Sequence, residues 1–459
     1  MNAITDTEDD AASDGQKHQP LGLEFLEVED NVPISYDDPR DTRNPRNWSL
    51  ASRIFHTVVP GLLAFEITFS TSVTVPATTL IMKEFDVSRT QSLLPLTLYT
   101  FGLAVGPLFV APFSEVFGRK WVYVVTSTFL LAFIGGASAA NTFSALLACR
   151  FLAGALGSAG IAIGAGSITD VWRLDKTGAS DASLLFILSP FLGPTLGPLA
   201  GAYILHDTDN WRWTQYLLLI VGAPIWIGCI LMKETSRHWI LRHEAKADSI
   251  PTWRNLAGII KTAFIRPTKM LFTEVVVSSL AIYAAFVYAM IFSYFGSASY
   301  IFQRFYGFNL REVGLSFISV IIGYVIGMFI YMVFDHTLCD RARRASPDGR
   351  MDPEHRLYTA FIGSAFLPVA LFWYAWEAHD GGYWPSLVAA GIPFGIGAFS
   401  LFLSIITYSV DFYGPRVAAS ALAANGLLRY TLGAVFPLFT IQMYENLGVH
   451  WAGSVTVAS

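Results

Sequence analysis

Charge is what this sequence has least of. Of its 459 residues, 14% are Asp, Glu, Lys or Arg, against about 25% in an ordinary soluble domain. That deficit, with 53% hydrophobic residues and a mean hydropathy of +0.47, excludes a water-soluble fold and indicates an all-α polytopic membrane protein. Cysteine is scarce as well. Cys149, Cys229 and Cys339 fit no disulfide framework and are expected as free thiols. No Cys/His cluster has metal-ligand spacing, so no metal and no cofactor is expected. No G-x-x-x-x-G-K-[ST] occurs, so the chain offers no phosphate loop for ATP. Without a paired His/acid motif or a nucleophile elbow, an enzyme is not expected. Nothing in the composition calls for nucleic acid; the expected partners are a lipid bilayer, a small-molecule substrate and protons, with the chain a monomer.

The acid is concentrated at one end. Residues 1–39 hold eleven Asp and Glu against the single Lys17, without periodicity, so residues 1–52 are expected to be a disordered acidic tail. It has neither the basic start nor the apolar core of a cleaved signal peptide, leaving the first membrane helix to serve as signal.

Apolar runs of about 20 residues mark helices that cross a bilayer. They lie near 55–78, 92–113, 121–140, 143–168, 183–204, 214–232, 274–297, 313–334, 357–376, 386–409 and 418–441. Six form a bundle over 53–232. A polar, basic connector over 233–273 follows, and five spans with a short remnant fill 274–459. Basic residues orient them. With the amino terminus in the cytosol, the connectors on that side carry 18 Lys and Arg, including Arg119, Lys120, Arg173, Lys233, Arg343, Arg356 and Arg416. The opposite connectors carry five: Lys83, Arg89, Arg212, Arg304 and Arg311. A multi-pass protein of the cell membrane follows.

Within the spans, charge is informative because it is costly. An arginine near the centre of a membrane helix costs roughly 2.5–3.5 kcal/mol on insertion scales. Arg150 sits in FSALLACRFLAGALGSAGIAIGAG, where Gly154, Gly157, Gly160 and Gly164 leave one face bare enough for another helix to approach. It reads as lining a transport path, or as a structural cation paired with a carbonyl. Glu66, about 16 Å into the first helix at 1.5 Å per residue, can alternate between protonated and ionised forms and is the expected proton carrier. Ser70 lies one turn further on the same face. Arg429, with Asn425 one turn earlier, suits either a substrate contact or a helix-pairing contact. The aromatics Tyr283, Phe286, Tyr288, Phe292 and Tyr294 offer a wall for flat amphipathic molecules, or a stripe toward lipid and neighbouring helices.

Several segments together resemble the major facilitator superfamily, and more narrowly its fungal twelve-span drug:proton antiporters. APFSEVFGRKWVY follows the pattern G-x-L-a-D-r-x-G-r-k: Glu115 takes the acidic place, Gly118 the second glycine, and Arg119 and Lys120 the basic pair, with Ala111 replacing the first glycine. CRFLAGALGSAG is similar to the arginine motif of the fourth helix, which in the family is implicated in proton coupling. SPFLGPTLGPLAGAYI resembles the antiporter signature G-x-x-x-G-P-x-x-G-G through Gly193, Gly197, Pro198 and Gly201, with Ala202 in the last place. The long segments FSYFGSASYIFQRFYGFN and LSIITYSVDFYGPRVAASALAANGLLRYTLGAVFPLF resemble the fungal exporters too.

The resemblance implies two helical bundles that rock about a central cavity. It implies a cytosolic gate at Glu115, Gly118, Arg119 and Lys120, and proton coupling at Arg150. The function it implies is proton-driven export of small amphipathic compounds, with multidrug or secondary-metabolite efflux as the setting. It also implies a twelfth span where this chain stops at SVTVAS, so a truncated last helix is expected. A non-transporting or sensor-like membrane protein and a proton-coupled importer are the alternatives.

Overall fold

The computed structural model describes positions 36 and 38 and residues 41–172, 177–244, 253–346 and 351–458. Among them, eleven helices are long and apolar enough to cross a membrane. We label these α1 (Leu50–Phe85), α2 (Leu94–Phe117), α3 (Arg119–Ser138), α4 (Phe143–Val171), α5 (Ala182–Thr208), α6 (Arg212–Leu231), α7 (Val275–Tyr306), α8 (Leu310–Ala345), α9 (Pro353–Glu377), α10 (Trp384–Gly414) and α11 (Val417–Leu447). The all-α polytopic fold follows the apolar runs, and every expected span has its helix.

Local chemistry sets the ends. Ser49 accepts from the Ser52 amide at the start of α1, and Thr142 accepts from Ala145 at the start of α4. Capping boxes at Ser88/Gln91 and Asn309/Glu312 open the short helix that precedes α2 and the first turns of α8. Each satisfies amides that the first helical turn leaves without partners. Gly414, at φ 64° and ψ 173°, breaks an otherwise continuous helix into α10 and α11, a conformation that glycine adopts without a Cβ penalty.

Three differences from expectation have physical reasons. The span expected as one helix over 143–168 has a break at Ser158, whose ψ of 3° leaves the helical range; Gly154, Gly157 and Gly160 flank it and do little to hold a helix straight. The tail expected over 1–52 ends earlier. Asn44 is buried, accepts from the Arg46 amide and donates to the Tyr36 carbonyl, so residues 41–49 pack on the body; the acidic stretch up to 35 lies outside the described residues. The connector expected over 233–273 carries two helices, Arg237–Glu244 and Trp253–Thr273.

Helices α1–α6 form one bundle and α7–α11 another. In the first, α1 packs along α5 and α2 along α4; in the second, α7, α8 and α9 pack on α10 and α11. The bundles meet where α2 faces α11 and α5 faces α8. Aromatic rings fill the middle of this seam. Phe191 of α5 lies edge-on to Tyr324 at 5.3 Å, Phe399 at 5.3 Å and Phe402 at 4.7 Å.

Candidate functional site

Arg150 is fully buried. Its Nη1 donates to Ser70 Oγ at 2.9 Å, its Nη2 to the Ser70 carbonyl, and its Nε to the Pro95 carbonyl at 3.4 Å. The guanidinium lies 4.4 Å over the Tyr99 ring, and the Tyr99 hydroxyl donates to the Ile67 carbonyl at 2.9 Å. One cation thus ties α4 to α1 and α2 with no carboxylate in contact among the described residues. The bare face does what its small residues allow: a Cβ on Gly154 would strike the Tyr99 carbonyl, and one on Gly160 would meet Ala64 of α1.

Glu66 is buried one turn before Ser70, and its Oε1 has no hydrogen-bond partner among the described residues. It faces α6 and α3, for a Cβ on Gly222 would strike the carboxylate and Leu131. No ion pair joins Glu66 to Arg150 among the described residues. The two expected proton-coupling residues share α1 as a common support without touching each other.

The glycine-proline segment of α5 packs against that same stretch of α1. Added Cβ atoms on Gly193, Gly197 and Gly201 would collide with Thr68, Ser72 and the Val73 carbonyl in turn. Ser72 Oγ donates to the Pro194 carbonyl at 2.8 Å, and Pro198 is buried beside them. Small residues let two helix backbones come this close. Residues 66–73 of α1 therefore carry the acid, the support for the arginine and the seat of α5.

In the second bundle Arg429 is 7% exposed. Its guanidinium lies 4.5 Å from the centre of the Phe402 ring, 4.7 Å from Tyr430 and 5.2 Å from Tyr288. It makes no hydrogen bond or ion pair among the described residues, and its Nε is buried without a partner. Among the described residues Asn425 donates only to the Leu280 carbonyl, at 3.5 Å. Tyr288 and Phe292 stand together, with ring centres 5.2 Å apart. Tyr283, expected on the same wall, is not: it is 38% exposed. Five residues separate it from Tyr288, about 500° of helical turn at 3.6 residues per turn, so the two leave on different faces.

Beyond Phe292 a cavity of about 430 Å³ opens between the bundles, in the half away from the connector, with Leu96, Phe295, Ser299, Gln303 and Arg89 among its walls. The polar bonds that cross the seam lie toward this end. Arg89 pairs with Glu445 at 3.3 Å, Gln442 donates to Thr90 at 2.8 Å, Arg311 pairs with Asp207, and Thr97 donates to the Ala434 carbonyl at 3.0 Å.

At the connector end, Gly118 takes φ 87° and ends α2 against α3. The backbone amides of Arg119 and Lys120 donate to the Glu234 carboxylate at 2.8 and 3.0 Å, as do those of Thr235 and Ser236. The Arg119 side chain pairs with Asp170 of α4 at 3.1 Å and reaches Ser114 at 3.2 Å. Glu115 makes no hydrogen bond or ion pair among the described residues, but its carboxyl lies close enough to Arg119 and His238 to feel both charges. Sequence reasoning missed Glu234 and Asp170. It also missed the counterpart in the second bundle, where Arg356 pairs with Asp335 and with Asp411, both at 2.7 Å, and donates to Tyr331 at 3.2 Å. A signal was present: Asp335 closes the apolar run of α8 as Glu115 closes that of α2. Among the described residues no group of His, Cys, Asp or Glu is placed to hold a metal ion.

The sequence profile of the Major Facilitator Superfamily matches residues 61–437. Polyamine transporter 4 of Saccharomyces cerevisiae is 33% identical, over 99% of this chain and 73% of its own length. The efflux pump FUBT of Fusarium oxysporum is also 33% identical, over 91% of this chain and 72% of its length. Among solved structures, the proton:xylose symporter XylE aligns with a TM-score of 0.63 at 13% identity, covering 90% of this chain and 94% of that one, a likeness of fold.

Proposed function

Because the chain belongs to the major facilitator superfamily, we propose that it is a proton-coupled exporter of small amphipathic organic compounds. The single observation that carries the proton coupling is Glu66: a buried carboxylate with an unpartnered oxygen, one turn from the residue that holds Arg150. A buried ionisable group inside a membrane bundle is costly and is kept where its charge changes during a cycle. Protonating Glu66 removes a charge from the stretch of α1 that also seats the glycines of α5. That gives one switch a grip on both the arginine and the helix packing.

Export as the direction draws on the efflux pump among the relatives and on the resemblance of the α5 segment to the antiporter signature. The basic excess on one set of connectors supports a cell-membrane protein with its amino terminus in the cytosol. Alternating access then has concrete parts. The ties at Arg89–Glu445, Thr90–Gln442 and Asp207–Arg311 close the end away from the connector. Opening that end breaks them, while Arg119 and Arg356 hold the helix ends within each bundle.

The test uses the full chain in sealed liposomes with an internal pH dye. Wild type should move protons when a hydrophobic dye is supplied against an acid gradient. Glu66→Gln should still exchange dye for dye but move no protons with it. Proton movement unchanged in Glu66→Gln removes the residue from the coupling. Accumulation of spermidine in place of efflux of dye would reverse the direction and change the cargo.

A further inference from the structure

The proposed reading leaves the cargo open. Arg429 narrows it. Three aromatic rings surround its guanidinium, and ring faces attract a cation without supplying hydrogen-bond acceptors. A guanidinium carries five N–H donors in one plane, and none of those on Arg429 is used among the described residues. This is unlike every requirement of a buried cation that serves packing alone, which is paired or donates to carbonyls. The neighbouring cavity points the same way. Its lining holds no carboxylate, and its one cation, Arg89, is paired with Glu445 at 3.3 Å. Phe292 lines that cavity and stands 5.2 Å from Tyr288, which in turn lies 5.2 Å from the Arg429 guanidinium, so two rings separate the open space from the unused donors.

Resting on the export reading, we propose that Arg429 is an anion-recognition site, and that the compounds carried are flat organic carboxylates. A carboxylate presents two oxygens in the plane and spacing of the guanidinium fork. Phe402, Tyr288, Tyr430 and, across the seam, Phe191 accept the apolar body of such a molecule by area and ring contact. A cationic amine would compete with Arg429 for the same ring faces and be repelled by it, and no acid among the described residues contacts Arg429 to offset that repulsion.

Three probes of matched shape separate the possibilities: 2-naphthoate, 2-naphthylmethanol and 2-naphthylmethylammonium, in equilibrium binding to the full chain in detergent and in flux from liposomes. Wild type should bind naphthoate on the order of tenfold to a hundredfold more tightly than the alcohol, the range that a charge-assisted hydrogen bond supplies, with the ammonium weakest. Arg429→Gln should bring naphthoate within about twofold of the alcohol, and Arg429→Lys should fall between, because an ammonium cannot hold both oxygens. Unchanged binding of the alcohol certifies that each variant is folded. The proposal is overturned if wild type shows no preference for the carboxylate, or if Arg429→Gln keeps it. Proton-linked flux of the alcohol without a charge preference sinks this inference and spares the export reading. A carboxylate preference in binding without proton-linked flux of any probe does the reverse.

Discussion

Two arginines are buried in the membrane-spanning helices, one in each bundle, and they are held in opposite ways. Arg150 spends its donors on Ser70 and Pro95 and lies on one ring. Arg429 has three rings about it and no acceptor among the described residues. A cation satisfied by carbonyls of neighbouring helices is a joint; its removal unties three helices. A cation satisfied only by ring faces has its in-plane donors free, and its removal takes away little that the fold depends on. Both are buried, Arg150 fully and Arg429 to 7% exposure. The difference lies in where the N–H groups go.

That contrast is broken or sharpened most directly by making one substitution twice. Arg150→Met deletes three hydrogen bonds from a charged donor, each worth about 1.5–3 kcal/mol, while sparing the cost of burying the charge. A net loss of about 3 kcal/mol in thermal or denaturant unfolding in detergent is expected, together with loss of transport. Arg429→Met deletes no hydrogen bond, and relief from burying a charge offsets the lost ring contacts, worth about 0.5–2 kcal/mol. Its stability should stay within about 1 kcal/mol of wild type. Equal destabilisation by the two would make both arginines joints and end the distinction.

A second, smaller contrast lies at the connector end. Arg119 meets one carboxylate, Asp170, while the acid that organises its turn, Glu234, binds backbone amides. Arg356 meets two carboxylates at 2.7 Å, one of them the buried Asp335. Arg356→Ala should therefore cost about 2 kcal/mol, by leaving the buried Asp335 without this cation and with another acid, Asp411, beside it. Arg119→Ala should cost about 1 kcal/mol, since its pair is partly solvated and Glu234 still caps α3. The reverse order would mean that the first bundle, which carries the recognisable motif, also bears the larger load.

The spans were legible because a bilayer imposes one rule, about 20 apolar residues per crossing, and the sequence obeys it eleven times. Arg150, Glu66 and Arg429 were legible as charges in those runs. Their partners were not. Ser70 and Pro95 lie 80 and 55 positions from Arg150, and serine and proline carry no mark of such a role. Glu234, Asp170 and Asp411 look like ordinary acids at span ends until packing brings backbone amides to the first and an arginine to each of the other two. Tyr283 misled for a related reason: an aromatic-rich helix has rings on several faces, and composition does not say which face meets the seam. The break at Ser158 was hidden because glycine-rich runs suit both close packing and helix interruption.

The smallest expected effect tests whether the ends of the bundles are coupled to access. Arg89 and Glu445 are each about half exposed, with side chains at 48% and 46%, so the pair contributes under about 1 kcal/mol to stability, and Arg89→Ala should leave unfolding almost unchanged. Yet the pair crosses the seam, so whatever it is worth is lost when this end opens. A bias of about 0.5–1 kcal/mol changes the ratio of open to closed forms by roughly twofold to fivefold. Ser299 on the cavity wall reports that ratio. With Ser299→Cys in a background where Cys149, Cys229 and Cys339 are replaced, labelling by a membrane-impermeant maleimide should speed up by that factor in Arg89→Ala. The same substitution at Arg43, whose pair with Asp41 stays on one side of the seam, should not change the rate. If both accelerate labelling alike, the far-end pairs are surface decoration and the closure of that end rests on packing alone.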